Sequence, residues 1–478
     1  MAPVKLMVPG AEPAGQMEVV SPYDLSSVAA VETGGLAAVD HALSTAERLF
    51  RDRSSWIPAH RRLAILERTA ELMAERFDEL VDQAVAEGGK PLTDSRVEVN
   101  RSISSVKVAI ETLRTDAGSM VPMGINEASA GRMAAIRKEP IGPVVAVSAF
   151  NHPFNLIAHQ VAPAVATGCP VIVKPADDTP LSAMSFVQIL HEAGLPPEWA
   201  QGIVTDDLET AEALATDRRV AFFSFIGSAK VGWMLRSKLA PGCRVALEHG
   251  GAAPVIVTED ADLEVAVPPI LKGGYYHAGQ VCVSVQRIFA HHSIRDALVD
   301  RIVAGAEALK VGDPRNEETD VGPLIRPKEV ERVASWVDEA REAGALVACG
   351  GERLSETFYK PTVLVEPAPE LAVSAQEIFG PVVCVYGFDD MDEAIARANS
   401  LPYAFQAAIF TSNLDAALRA ADRLDGSAVM INDHTAFRVD WMPFAGLRQS
   451  GLGTGGIPYT MEDMTVDKMI VFKSNALQ

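Results

Sequence analysis

The chain has 478 residues, of which 48% are hydrophobic and 22% charged, and its formal net charge is −21. This length is more than one compact core usually supports, so two or three closely packed domains are expected. The excess of acids argues against nucleic acid and anionic membrane as partners. A small anionic ligand would therefore need a local cluster of cations.

The five cysteines, at positions 169, 243, 282, 349 and 384, form no CxxC pair and no Cys/His cluster. Neither a disulfide framework nor a metal site is expected from this pattern. The first fifteen residues lack a signal-peptide core, and no apolar run reaches membrane-spanning length. These features predict a cytoplasmic protein.

The first 117 residues are dominated by helical periodicity after a short predicted strand near Met17. Apolar residues recur at three-to-four spacing over 37–51, 59–86 and 93–116, which predicts amphipathic scaffold helices. Between 118 and 138 the pattern changes to two short alternating runs with Pro and Gly, and a β-hairpin arm is predicted there.

From Pro140 onward, short apolar runs alternate with helical segments of roughly 10–15 residues, which predicts parallel strands joined by crossover helices in doubly wound α/β domains. The strands predicted in the first cycle are 144–148, 171–173, 203–204 and 220–225. Those in the second cycle are 287–290, 361–365, 382–386, 407–410 and 428–431. The stretch 464–473 is predicted as a final strand that could pair with a partner.

A single cysteine, Cys282, follows a glycine and an amide in the stretch 279–287. A cysteine thiolate is a strong nucleophile, and nearby polarising groups are needed to form it. The alternative is an inert structural thiol, because free cysteine is among the most buried residue types.

Polar side chains in two other turns could serve such a cysteine. Asn151, in the apolar turn 150–155, could donate to a developing oxyanion or only cap the following helix. Glu248 precedes Gly250 and Gly251, which allow close approach of backbone, but it could also be an ordinary surface glutamate.

Two predicted strand ends are suited to a nucleotide. Lys174 and Asp177 follow the strand 171–173, and ligands of doubly wound sheets lie at the carboxyl ends of strands. Gly227 and Ser228 begin a helix, where a hydroxyl and free N–H groups could bind a pyrophosphate, or the serine could only cap the helix. The chain contains no GxGxxG fingerprint, so a Rossmann site of the usual kind is not supported.

Seven ordered motifs resemble those of the aldehyde dehydrogenase superfamily, and the resemblance runs from about residue 15 to the C-terminus. The motifs are the amide-bearing turn at 150–155, the strand-end lysine at 174–180, Phe-x-Gly-Ser at 225–228, Glu-x-Gly-Gly at 248–251, Gly-Gln-x-Cys at 279–282, Glu-x-Phe-Gly-Pro at 377–381 and Pro-Phe-x-Gly-x-x-x-Ser-Gly at 443–451.

The resemblance implies oxidation of an aldehyde to its carboxylic acid. Cys282 would attack the aldehyde carbon to give a thiohemiacetal, and hydride transfer would leave a thioester. The Asn151 amide and the Cys282 N–H would hold the oxyanion, and Glu248 would activate the hydrolytic water.

The resemblance also implies NAD as the cofactor, with NADP possible. The implied cofactor-binding residues are Lys174 and Asp177 for the adenosine ribose, Gly227 and Ser228 for the pyrophosphate, Gly250, Glu377 for the nicotinamide ribose, and Phe379 beside the nicotinamide. Asp206 and Asp207 would repel a 2′-phosphate, which favours NAD. The chain departs from the family pattern with Asp177 for a glutamate, His249 for a leucine, Ala445 for a glycine and Thr454-Gly455 for Arg-Glu.

The implied fold has three parts. Residues 1–117 and 140–251 would form a cofactor-binding α/β domain, and 252–450 a catalytic α/β domain. Residues 118–139 and 451–478 would form a small β arm for homodimers or homotetramers.

The motifs are most similar to those of lactaldehyde, phosphonoacetaldehyde and non-phosphorylating glyceraldehyde-3-phosphate dehydrogenases. They predict a small polar or anionic aldehyde, with a phosphonoacetaldehyde-like compound as the best guess. The cations proposed to face it are Arg287, His159, Arg101 and Arg438.

Each of three cations also has a structural alternative: Arg287 could brace its strand, His159 could satisfy helix backbone, and Arg101 could lie on a solvated helix face. A CoA-acylating dehydrogenase is the alternative activity, and the presence of Glu248 argues against it. A non-catalytic member of the fold is disfavoured.

Overall fold

The computed structural model describes residues 2–205 and 207–477. Its β-strands, numbered along the chain, are β1 (Gly15–Val20), β2 (Ser27–Thr33), β3 (Ser119–Val121), β4 (Arg132–Pro140), β5 (Val144–Val147), β6 (Val171–Lys174), β7 (Ala200–Gly202), β8 (Phe222–Ile226), β9 (Arg244–Glu248), β10 (Ala253–Val257), β11 (Val285–His291), β12 (Leu346–Cys349), β13 (Thr362–Val365), β14 (Val382–Phe388), β15 (Tyr403–Ala404), β16 (Gln406–Phe410), β17 (Ala428–Ile431), β18 (Leu447–Arg448), β19 (Gly451–Leu452) and β20 (Thr465–Lys473).

The α-helices are α1 (Leu36–Arg51), α2 (Ala59–Glu75), α3 (Phe77–Gly88), α4 (Leu92–Thr115), α5 (Asn155–Thr167), α6 (Pro180–Glu192), α7 (Leu208–Thr216), α8 (Ala229–Arg236), α9 (Leu263–Tyr275), α10 (His292–Ala308), α11 (Pro327–Glu342), α12 (Ala372–Ala375), α13 (Met391–Ala398), α14 (Leu414–Arg423) and α15 (Ile457–Asp463). No helix among these described residues is long and apolar enough to cross a membrane.

Two mainly parallel sheets confirm the predicted α/β class. The first has the strand order β19-β9-β8-β5-β6-β7, and the second has the order β12-β13-β14-β11-β10-β16-β17. Only β19 and β12 run antiparallel to their neighbours. Central strands such as β6 are buried along their whole length, as expected for strands covered by helices on both faces.

Some of the predicted helix and strand boundaries are wrong. The helix predicted over 59–86 is two helices, because Arg76 has a non-helical backbone conformation between α2 and α3. The strand predicted at 203–204 lies at 200–202 instead, and the two predicted residues are buried directly after it. Strand β9, which ends on Glu248, was missed.

The predicted arm forms a three-stranded antiparallel sheet of β20, β4 and β3. Strand β20 lies at its edge, and consecutive side chains from Met469 to Phe472 are 37–52% exposed. Residues 451–463 do not join this sheet: β19 pairs with β9, and the α15 residues Ile457 and Met461 lie in the core beneath the first sheet. The proposed domain boundaries otherwise stay a prediction.

Helix α5 is buried at every position, although it contains Asn155, His159, Gln160 and Thr167. Buried polar groups are costly unless they are hydrogen-bonded, so this helix requires polar partners on its neighbours. Several of those partners connect it to the candidate site.

Candidate active site

A cavity of about 910 Å³ is lined by residues of both parallel-sheet regions. The carboxyl ends of β5, β6, β8 and β9 open into it from one side, and the loop containing Cys282 lies on the other. Strand ends are where ligands of open α/β sheets bind. The cavity is therefore the candidate site.

The loop before Cys282 is held in a tight turn. His277 and Ala278 have positive φ angles of 48° and 55°, and Gly279 has a φ of 71°. A Cβ on Gly279 would overlap the carbonyl of Gly380, so only glycine fits there. The Gln280 amide donates to the carbonyls of His277 and Pro323, and its oxygen accepts from the Ile325 N–H. The Gly-Gln pair therefore fixes the loop.

Asn151 is brought to this loop by the turn that precedes α5. Its side-chain Nδ2 donates to the Gln280 carbonyl at 2.9 Å, two residues before Cys282. Because an amide nitrogen carries two hydrogens, the second remains available as a donor. Asn151 is only 5% exposed, so that donor lies in a desolvated place.

Burial raises the pKa of the Cys282 thiol to about 12; the charge of Arg438 opposes this shift, and Glu377 and Glu248 add to it. Cys282 is a free cysteine, as are the other four. The thiol is protonated near neutral pH, so the reactive thiolate has to be formed by loss of a proton to a base.

Glu248 ends β9 and lines the same cavity. Burial raises the pKa of its carboxyl, against the attraction of Arg438. Its side chain has no hydrogen bond or ion pair to the residues that the structure describes, and it lies against the Cα of Gly455. A desolvated carboxyl with a raised pKa is suited to general-base chemistry near neutral pH.

Arg438 is a partly buried cation in the cavity wall. Its guanidinium carbon lies 3.6 Å from the centre of the Phe444 ring, and burial lowers its pKa. One terminal nitrogen lies 3.2 Å from His159 Nδ1, while Nε is buried without a partner. No carboxylate among the described residues lies within ion-pair distance of Arg438.

His159 and Asp440 connect Arg438 to Arg101. His159 Nε2 lies 2.7 Å from Asp440 Oδ1, and the Arg101 guanidinium donates to both oxygens of Asp440, the shorter bond being 2.6 Å. Burial, with a further contribution from Arg438, lowers the pKa of His159 to about 4. His159 is therefore neutral: Nε2–H donates to Asp440, and Nδ1 accepts from Arg438.

Two of the four predicted substrate cations, Arg101 and Arg438, line the cavity. The other two do not, so the prediction that they face the substrate is wrong. His159 is bonded behind Arg438. Arg287 is 4% exposed, and its guanidinium donates to the carbonyls of Ala252, Arg397 and Ala398. The last two end α13, where unpaired carbonyls attract a cation. Arg287 thus braces its strand.

The residues predicted to hold the cofactor all line the cavity: Lys174, Asp177, Gly227, Ser228, Gly250, Glu377 and Phe379. Lys174 Nζ lies 2.5 Å from Asp177 Oδ1 at the end of β6. The Ser228 hydroxyl makes no capping bond to α8, so it is free to bind a ligand.

Among the predicted cofactor-binding residues, Gly250 and Glu377 contact each other. The Glu377 carboxyl occupies the space of a Cβ on Gly250, and it accepts from the Gly251 N–H at 3.2 Å. Burial raises the pKa of Glu377 to about 8. Phe379 has a φ of 47° and packs edge-to-face on Phe150. The Ser228 hydroxyl and the Glu377 carboxyl are groups that can bind the phosphate and the ribose hydroxyls of a dinucleotide.

The two predicted anions near the adenosine are not both described. Asp206 lies outside the described residues. Asp207 caps α7, where its carboxylate accepts from the Thr210 N–H at 2.6 Å, and it does not line the cavity. The preference for NAD over NADP therefore stays a prediction.

Several cavity residues were missed by the sequence analysis. Arg326 and Asp178 form an ion pair in the cavity wall, and the guanidinium carbon of Arg332 lies 4.8 Å from the centre of the Trp336 ring on α11. His152 also lines the cavity. Arg326, Arg332 and Trp336 belong to or directly precede α11, an ordinary amphipathic helix, so no linear pattern marks them. His152 could have been found from its position next to Asn151.

A family model described as the aldehyde dehydrogenase family matches residues 8–470. A 3-sulfolactaldehyde dehydrogenase from Priestia megaterium is 38% identical over 458 residues, which cover 96% of this chain and 95% of that protein. A lactaldehyde dehydrogenase from Methanocaldococcus jannaschii is 36% identical, with 95% and 97% covered.

Solved structures agree with this match. Aldehyde dehydrogenase 21 from Physcomitrella patens, in complex with the reaction product succinate, has a TM-score of 0.94, 34% identity and 99% coverage of each chain. Glyceraldehyde-3-phosphate dehydrogenase GapN from Methanocaldococcus jannaschii, complexed with NADP, has a TM-score of 0.91 and 34% identity, with 96% of this chain and 99% of that chain covered. The chain therefore belongs to the aldehyde dehydrogenase family and is an NAD(P)-dependent oxidoreductase.

Proposed function

We propose that the protein oxidises a small anionic aldehyde to its carboxylic acid, with Cys282 as the nucleophile. The observation that carries the anionic preference is Arg438, a partly buried cation in the cavity wall with a buried, unpartnered Nε and no ion-pair partner among the described residues. A buried donor without a partner and a partly desolvated charge without a counter-ion are both unfavourable, so an anionic group of the substrate would complete this site.

The proposed reaction begins at Cys282. Its thiolate forms a bond to the aldehyde carbon, and the carbonyl electron pair moves to the oxygen. The free hydrogen of the Asn151 amide and the Cys282 backbone N–H stabilise the resulting oxyanion. NAD(P), when bound, accepts the hydride that leaves this carbon.

Glu248 is the proposed base for the second half of the reaction. It takes a proton from water as the water oxygen attacks the thioester, the carbon–sulfur bond breaks, and the acid is released. Its raised pKa and its lack of a competing hydrogen bond support this role. The same features make a CoA-dependent release of the acyl group the less favoured alternative, and this alternative predicts a large rate increase on adding CoA.

The cofactor roles are proposed on the same basis. Lys174 and Asp177 would hold the adenosine ribose, Gly227 and Ser228 the pyrophosphate, and Glu377 the nicotinamide ribose. Gly250 makes room for the Glu377 carboxyl, and Phe379 would lie beside the nicotinamide. The positions of these side chains around one cavity support the assignment.

The relatives favour a substrate with an acidic group without naming one compound. One is named for sulfolactaldehyde and one solved structure contains succinate, both of which are anions, whereas lactaldehyde is neutral. A phosphonoacetaldehyde-like substrate stays the specific proposal, and sulfonate or carboxylate aldehydes are its nearest competitors. A glyceraldehyde 3-phosphate substrate would satisfy the same cation.

The test is a panel of aldehydes at fixed NAD and NADP concentrations. We expect kcat/KM for phosphonoacetaldehyde, sulfolactaldehyde or succinic semialdehyde to exceed that for lactaldehyde and propanal by about 100-fold, the value of one charge-assisted contact. Equal values across the panel would refute the anionic preference while leaving aldehyde oxidation intact. The same panel measures the cofactor preference.

We further propose a homodimer or homotetramer built through β20, and a cytoplasmic location. An exposed apolar edge strand favours pairing with a second copy, and five unpaired cysteines are typical of a reducing compartment. Light scattering of wild-type protein and of Val471→Lys tests the assembly: a smaller particle is expected for the variant.

A further inference from the structure

His152 follows the proposed oxyanion donor, Asn151, in the chain, and it contacts a buried ion pair that has no role in the proposed reaction. Lys90 is 1% exposed, and its ammonium donates to Glu98 Oε2. The same ammonium lies 2.8 Å from His152 Nδ1. Because a lysine ammonium has donors and no acceptor, Nδ1 must accept, and the ring proton is placed on Nε2.

Glu98 also fixes the turn that carries His152. Its Oε1 accepts the N–H groups of Phe154 at 2.8 Å and Asn155 at 3.0 Å, which are among the first free donors of α5. A carboxylate at a helix N-terminus is favourable to the helix dipole. The pair Lys90–Glu98 therefore ties the turn of residues 151–155 to α4 and determines the tautomer of its histidine.

The other ring nitrogen of His152 is available to a ligand. Nε2 has no hydrogen-bond partner among the described residues, it is not enclosed by protein, and His152 lines the cavity. The ring stacks on Tyr276 at 5.8 Å with an interplanar angle of 23°, which holds its orientation. The charged groups Arg101 and Arg438 line the same cavity and lower the pKa of His152 electrostatically.

We propose that His152 donates its Nε2–H to the anionic end of the aldehyde, and that Lys90 and Glu98 are positioning residues that hold it in this neutral form. The inference rests on the proposed anionic substrate. A neutral donor adds a directional hydrogen bond to the site without adding a second positive charge to the cavity that Arg438 lines.

The titration of His152 is the sharpest consequence. The groups that face it are Lys90, Glu98 at 4.0 Å from Nδ1, Tyr276, His277, Arg101 and Arg438. Burial and the neighbouring Lys90 hold the pKa of His152 well below its usual value of 6.5. In Lys90→Met, Glu98 is left as an unpaired buried anion, and we expect it to draw a proton onto Nδ1.

Lys90→Met should therefore acquire a pH dependence opposite in sign to that of the wild type, in which the lowered pKa of His152 makes the folded state lose stability as pH falls below about 6.5. In this variant we expect the pKa of His152 to be higher in the folded protein than in the unfolded chain. The pairing of protonated His152 with Glu98 then stabilises the fold fully below about pH 6.5, and this stabilisation is lost as pH rises through the folded-state pKa. The melting temperature relative to wild type should rise as pH falls from 8 to 6. Lys310→Met, which removes the lysine of the exposed Lys310–Glu318 pair, should show no such change.

The double variant Lys90→Met/Glu98→Gln provides the decisive comparison. It removes both charges and keeps an oxygen for the N–H groups of residues 154 and 155, so the new pH dependence should disappear. If the single variant has the same pH profile as wild type, or if the double variant keeps the new dependence, the tautomer assignment is overturned. This readout needs no substrate, so it is independent of the proposed function.

His152→Asn tests the contact with substrate. The asparagine oxygen can still accept from Lys90, but its shorter side chain cannot reach the cavity as Nε2 does. We expect kcat/KM for phosphonoacetaldehyde or sulfolactaldehyde to fall about 10- to 100-fold, and that for propanal to change less than about threefold. Equal losses for both classes, or no loss for either, would overturn the contact. A wild type without anionic preference would instead refute the proposed function.

Discussion

The carboxylate of Glu248 lies where a side chain on Gly455 would be. A Cβ at position 455 would overlap Glu248 Oε1 and would also lie 3.0 Å from the Phe444 carbonyl. The family pattern has a Glu at this place, and this chain has glycine. The absence of a side chain at one position thus defines the place where the proposed base rests.

Gly455→Ala should displace the Glu248 carboxylate. We expect kcat to fall about 10-fold or more, because a misplaced general base loses much of its effect, while the affinity for NAD(P)H stays unchanged. Steady-state kinetics and cofactor fluorescence titration measure the two quantities. Gly312→Ala is the matched control, since its Cβ would meet only Thr319 Oγ1 at an ordinary 3.7 Å. Similar losses in both variants would contradict the positional role.

Cys282→Ala should abolish aldehyde oxidation and leave cofactor binding nearly unchanged, because it removes the nucleophile without altering the strand ends. Activity is followed by NAD(P)H absorbance and binding by fluorescence titration. Cys243→Ala, at another cysteine that is only half-buried, should keep wild-type activity. Persistent turnover in Cys282→Ala would exclude it as the nucleophile.

Glu248→Gln should separate acylation from deacylation. A glutamine cannot accept the proton of the hydrolytic water, so we expect a burst of NAD(P)H equal to the site concentration, followed by turnover reduced at least about 100-fold. In the wild type, burial raises the pKa of Glu248 above its ordinary 4.5, so deacylation should decline as pH falls through that raised value. Stopped-flow absorbance measures both. A variant with neither a burst nor a rate loss would contradict the assignment.

Arg438→Met should remove the anionic preference. We expect kcat/KM for phosphonoacetaldehyde or sulfolactaldehyde to fall about 100-fold, while propanal is affected far less. The Arg438 charge lowers the pKa of both Cys282 and Glu248, so its loss should move the acid limb of the propanal pH profile to higher pH. A pH-resolved comparison of the two substrates measures both effects, and an unchanged substrate ratio would contradict the role.

Arg287→Met should give the opposite result. It leaves three buried carbonyls without their donor, so we expect a loss of about 2–4 kcal/mol in the free energy of unfolding and no change in the ratio of anionic to neutral kcat/KM. Chemical denaturation and the aldehyde panel test this. A selective loss with anionic aldehydes would restore Arg287 as a substrate contact.

The sequence was sufficient for the parts of the site that lie in linear motifs. Cys282, Asn151 and Glu248 each stand in a short turn whose glycines and amides are recognisable, and they do line one cavity. The alternation of apolar runs and helices likewise predicted the parallel sheets. These features depend on local geometry, which neighbouring residues encode.

The failures come from contacts between distant segments. Arg287 was predicted to face the substrate because it follows Cys282, but the carbonyls that hold it end α13, about 110 residues later. Glu98 lay in a predicted scaffold helix and Lys90 in the segment before it, and no linear pattern showed their contacts with the turn of residues 152–155. The break at Arg76 does not interrupt the apolar spacing, so periodicity alone could not detect it.

The absence of a side chain at Gly279 has a kinetic consequence. The turn of residues 277–280 rests directly on the backbone of Gly380, which follows the proposed ribose and nicotinamide contacts Glu377 and Phe379. This contact blocks movement of either turn towards the other, so we expect a dinucleotide bound at residues 377–379 to restrict the loop that carries Cys282. We therefore expect an ordered reaction in which the cofactor binds before the aldehyde.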